Sequence, residues 1–79
     1  MSLSIRVLFF SYAAERMNGR EQEMLCEPGT RVADLLEQWR PQLGAPERFM
    51  FAVNQVWAAP DQVLCAGDVL AVIPPVAGG

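Results

Sequence analysis

The sequence predicts an α+β domain, a mixed sheet of about four to five strands with one main helix packed on one face. Three stretches carry that expectation. Residues 3–11 open with apolar groups on both sides of an extended chain, the pattern of a strand in the middle of a sheet. Residues 30–39 place Val32, Leu35, Leu36 and Trp39 at the i, i+3, i+4, i+7 spacing of a helix with one apolar face. Val69-Leu70-Ala71-Val72-Ile73 is a short apolar run stopped by Pro74-Pro75, which lack N–H donors and end the ladder.

The elements follow in order. In the first strand Leu3, Ile5, Val7 and Phe9 share one face, and Arg6, Leu8 and Phe10 the other. Residues 12–17 hold good helix formers before the Asn18-Gly19 stop, which suggests one or two helical turns. Residues 20–27 alternate as a second strand, antiparallel to the first, with Gln22, Met24 and Cys26 on one face. Pro28-Gly29 breaks it. Thr30 is the expected N-cap of the main helix, and Arg40, which precedes Pro41, its expected end. Residues 42–48, with Gly44 and Pro46, read as loop. Residues 49–53 form a third strand, and Asn54-Gln55 turns it into the short strand Val56-Trp57. Ala66-Gly67-Asp68 is a turn into the last strand.

This order lets the last strand pair in parallel beside a central first strand, because the intervening helix supplies the crossover. That is the β-grasp architecture of ubiquitin-like folds, and it leaves the other sheet face uncovered. Leu8, Phe10, Phe49, Phe51 and Leu70 are the candidates for a partner interface on that face. Trp39 belongs to the core.

Composition narrows the function. A chain of 79 residues is one small domain that buries about 60–65% of its unfolded surface. Six basic residues, all arginine, against nine acids give a net charge of −3, which argues against nucleic acid as a partner. No apolar run reaches membrane-spanning length, and no basic start followed by an apolar stretch marks export, so a cytoplasmic protein is expected. The absence of histidine removes the commonest general base and metal ligand, and the absence of lysine removes a Schiff-base amine. Cys26 and Cys65 are far apart, without a base, and are expected to be small buried hydrophobes. The chain is poorly equipped to be an enzyme on its own, and no bound metal or cofactor is expected.

Residues 1–73 are therefore read as the folded domain, and residues 74–79 as a flexible tail. Pro74, Pro75, Val76, Ala77, Gly78 and Gly79 offer no hydroxyl, amine or ring for catalysis. They offer a slim backbone arm tipped by the Gly79 carboxylate, able to pass down a channel too narrow for a Cβ. A frayed chain end is the alternative.

Val7-Leu8-Phe9-Phe10 with Ala14-Glu15 soon after, the Val53-Asn54-Gln55 turn, and Leu64…Gly67-Asp68-Val69…Ile73-Pro74-Pro75-Val76-Ala77-Gly78-Gly79 resemble the small subunits of molybdopterin synthase, ubiquitin-like sulfur carriers. The likeness covers nearly the whole chain. It departs at Tyr12, where members often have a smaller or polar residue, and in lacking a lysine before the last strand. Both departures bear on partner contacts more than on chemistry.

The resemblance implies that an E1-like enzyme adenylates the Gly79 carboxylate with ATP, and that a sulfur donor protein converts it to a thiocarboxylate. The tail would then enter the large synthase subunit, where sulfur passes to cyclic pyranopterin monophosphate during molybdenum cofactor biosynthesis. ATP is used by the activating enzyme and is not held by this chain. A thiamine-pathway sulfur carrier, a ubiquitin-like modifier, and a β-grasp binding module with an incidental Gly-Gly end remain the alternatives.

Overall fold

The computed structural model describes residues 1–45 and 48–75. The expected loop residue Pro46 and the expected tail residues Val76, Ala77, Gly78 and Gly79 lie outside the described residues. The order is β1 (Leu3–Phe9), α1 (Tyr12–Arg16), β2 (Glu21–Cys26), α2 (Val32–Leu43), β3 (Met50–Val53), β4 (Val56–Trp57) and β5 (Val69–Ile73). One five-stranded sheet runs β2-β1-β5-β3-β4. β1 pairs with β2 antiparallel and with β5 in parallel, so the central first strand and the helical crossover are both present.

Burial follows the strand alternation. Ile5, Val7 and Phe9 of β1, Leu70 and Val72 of β5, and Phe51 and Val53 of β3 meet Val32, Leu35, Leu36, Trp39 and Leu43 of α2 in one core. Phe9 and Trp39 pack edge to face, ring centroids 5.2 Å apart. The short α1 contributes buried Ala13, and Tyr12 packs edge to face on Phe49 at 6.1 Å.

The main helix differs from expectation at both ends. Its N-cap is Arg31, not Thr30. The loop before β5 does the work expected of Thr30: Val32 N donates to the Gln62 carbonyl at 3.0 Å and Ala33 N to the Pro60 carbonyl at 2.8 Å. Asp34 Oδ2 accepts from Arg31 N at 2.8 Å, next to the positive helix end. At the other end α2 continues past Arg40 through Pro41 to Leu43. A proline in the last turn forfeits a single N–H bond, and burial of Leu43 at 2% exposure offsets that loss. Gly44, with φ of 80°, then closes the helix, its N–H donating to the Arg40 carbonyl at 2.9 Å.

The hairpin forms as expected. Asn54 and Gln55 have φ of 53° and 69°, the two left-handed positions of a type I′ turn. Asn54 also ties this turn to β5. Its Oδ1 accepts from Val69 N at 3.0 Å, and its Nδ2 donates to Asp68 Oδ1 at 2.9 Å, while Asp68 Oδ2 accepts from Cys65 N at 2.7 Å. Gly67, with φ of 83°, supplies the left-handed residue that swings Asp68 into place. Asp68→Ala is expected to remove two of these bonds and cost about 1–2 kcal/mol. A thermal melt should show it as a fall of roughly 4–8 °C per kcal/mol in a domain of this size. An unchanged midpoint would mean that the network contributes nothing.

Candidate functional site

The sheet face away from α2 is the candidate site, and strand register decides what lies on it. Leu8 pairs with Ala71, Ala71 with Ala52, and Ala52 with Trp57, so these four form one row. Met50 pairs with Ile73. One step beyond the Phe9–Val72 pair, Phe10 falls beside Ile73 and completes a second row. Phe10 is 46% exposed, Met50 51% and Trp57 65%, large apolar side chains left uncovered on one sheet face. Between Leu8, Phe10, Val69, Ala71 and the hairpin turn lies a shallow hollow of about 430 Å³. Toward β2 the face becomes polar, with Arg6 and Glu21 paired at 3.0 Å in the open, a contact of little stabilising value.

Two of the five residues expected on this face are there, Leu8 and Phe10. Phe49, Phe51 and Leu70 are not. They are buried in the core at 7%, 4% and 0% exposure. The error is one residue of register: in β3 and β5 the alternate set, Met50, Ala52, Val69, Ala71 and Ile73, faces outward. Both sets in these strands are apolar, so the sequence offers no alternation to choose between them. Trp57 was missed as well. The signal available was its place three residues after Asn54, since a two-residue turn sets Trp57 opposite Ala52.

β5 ends at Ile73 in the second row, so the chain leaves the sheet at the edge of the apolar group. Pro74 is buried and Pro75 exposed. Cys65 is exposed rather than buried, since it sits in the turn before β5 with its backbone held by Asp68. Cys26 is half-buried. Burial pushes its thiol up, and a hydrogen bond with Thr30 opposes the shift, so Cys26 carries less thiolate than a free cysteine. Among the described residues no helix is long and apolar enough to cross a membrane.

The profile of the ThiS family matches residues 7–79. The chain belongs to the ThiS family. The molybdopterin synthase sulfur carrier subunit of Chlamydomonas reinhardtii is 34% identical over 83 residues, covering 98% of this chain and all of that protein. The resemblance read from the Gly-Asp turn and the Pro-Pro-Val-Ala-Gly-Gly end is thereby shown. Among solved structures, a Pyrococcus furiosus protein named for subunit 1 of molybdopterin converting factor superposes with a TM-score of 0.78 and 26% identity, over 94% of this chain and 99% of that one. A complex of subunits 1 and 2 of the molybdopterin-converting factor from Helicobacter pylori matches with a TM-score of 0.60 and 22% identity, over 98% of this chain and 100% of that one, a likeness of fold. The β-grasp architecture expected from the element order is the fold of the chain.

Proposed function

We propose that this ThiS-family chain is the sulfur-donating small subunit of a molybdopterin synthase, with the Gly79 carboxylate as its reactive group. The observation that carries the reading is the end-to-end likeness, at 34% identity, to a molybdopterin synthase sulfur carrier subunit. The apolar rows around Phe10 support it, because a large subunit seated on them stands at the edge where the chain leaves the sheet.

The chemistry follows from what a carboxylate lacks. It is a poor electrophile until one oxygen becomes a good leaving group. A Gly79 oxygen attacks the α-phosphorus of ATP on the adenylating enzyme, and pyrophosphate leaves. A sulfur donor delivering sulfur at the oxidation level of sulfide then displaces AMP, which leaves a thiocarboxylate. Its sulfur is the stronger nucleophile, and inside the large subunit it passes to the pterin precursor while water restores the carboxylate. Glycine at positions 78 and 79 keeps the arm thin enough for both channels.

Reconstitution tests this reading. The chain is loaded with ATP, a cognate adenylating enzyme and a sulfur source, then mixed with the large subunit and cyclic pyranopterin monophosphate. Molybdopterin should form in proportion to loaded chain. A loaded chain that is inert here but supplies sulfur to a thiazole-forming enzyme would move the assignment to the thiamine pathway.

A further inference from the structure

A notch of about 340 Å³ opens where the tail begins, and Arg16, Arg48, Tyr12 and Pro75 are among its lining residues. Both arginines are exposed, and neither forms an ion pair with an acid among the described residues. Arg16 instead lies over the Tyr12 ring, 5.2 Å from its centroid, which holds the guanidinium at the notch wall. Among the described residues no carboxylate lines the notch. On a chain of net charge −3, the notch brings together two cations that have no paired acid among the described residues. Guanidinium forks match carboxylates and phosphates.

Reach decides between these ligands. Gly79 lies four residue steps beyond Pro75, so the reacting carboxylate can stand up to roughly 13–14 Å from the notch when the tail is extended. The notch therefore lies at the mouth of any channel that takes the tail, and the phosphates of ATP lie at its far end. From this we infer that Arg16 and Arg48 grip acidic side chains on the rim of the channel in the adenylating enzyme. The inference rests on the proposed function. The two arginines are positioning residues: they set the entry of the tail and touch no reacting atom.

The test is calorimetric binding of the unactivated full chain to its cognate adenylating enzyme, which needs no chemistry to occur. Arg16→Glu/Arg48→Glu should weaken binding about 10-fold or more at low ionic strength, because like charges then face each other. The loss should shrink to within about 3-fold at 1 M salt, where the Debye length is only about 3 Å. Arg16→Lys/Arg48→Lys should retain most of the affinity, and Arg16→Gln/Arg48→Gln gives a neutral comparison if the reversal disturbs folding. In an exchange assay the deficit should appear in KM and leave kcat unchanged. Wild-type affinity in the Glu or Gln pair, or a loss that salt does not relieve, would overturn the inference. So would inorganic pyrophosphate bound by wild type and lost in the Gln pair while enzyme affinity stays the same, since the notch would then be a small-anion site. A wild-type chain that binds no adenylating enzyme would take the proposed function down with it.

Discussion

Deletion of Gly79 is expected to eliminate ATP–pyrophosphate exchange by the adenylating enzyme while the domain melts as before. The truncated chain still ends in a carboxylate, on Gly78, but one residue short. That gap is roughly 3.3–3.6 Å, and reacting atoms must approach within about 3–3.5 Å. A misplacement of about 1 Å already costs on the order of 100-fold, so the deletion should cost more than ~100-fold. Stability should change by no more than about 0.5 kcal/mol, as for surface changes generally, since β5 ends at Ile73. Gly78→Val restores the length and adds a β-branched side chain, so it should also fold and fail in exchange. Normal exchange by the deletion variant would remove the tail from the mechanism and favour an incidental Gly-Gly end.

Phe10→Asp should weaken binding to the large subunit at least about 30-fold, the scale of losing a central apolar anchor of about 2 kcal/mol. Phe10 is 46% exposed in a row with Ile73 and Met50, so a carboxylate there is hydrated in the free chain and buried unpaired in the complex. The free domain should therefore keep its melting temperature. Leu70→Asp makes the contrast. Leu70 has no exposed surface, so the same charge lands in the core and should unfold the domain. Calorimetric titration beside melting curves separates the two. Unimpaired binding by Phe10→Asp would show that the large subunit docks elsewhere.

Much of the fold was legible because three signals were local and independent. The helical spacing of Val32, Leu35, Leu36 and Trp39, the Asn54-Gln55 turn, and the Pro74-Pro75 stop each name an element, and their order leaves few topologies. The ends of α2 were not legible. The first N–H groups of the helix, on Val32 and Ala33, donate to carbonyls of residues 62 and 60, which no window around Thr30 contains, and the burial of Leu43 carries the helix through Pro41. The candidate face was half legible for a related reason. In β1 the charge of Arg6 sets the parity, which places Leu8 and Phe10 outward. β3 and β5 contain no charged residue, and pairing across the sheet alone assigns Phe51 and Leu70 to the core. The arginines of the notch come from α1 and from the residue before Phe49, and only the fold brings them beside Pro75.

Locating the sulfur by tandem mass spectrometry of the loaded chain tests the central claim most directly. After incubation with ATP, the adenylating enzyme and a sulfur source, the chain should gain one sulfur in place of one oxygen. Fragmentation should place it on Gly79, with Cys26 and Cys65 unmodified, and a double Cys→Ala chain should load equally well. Sulfur found as a persulfide on Cys26 or Cys65, with the Gly79 carboxylate unchanged, would contradict the account.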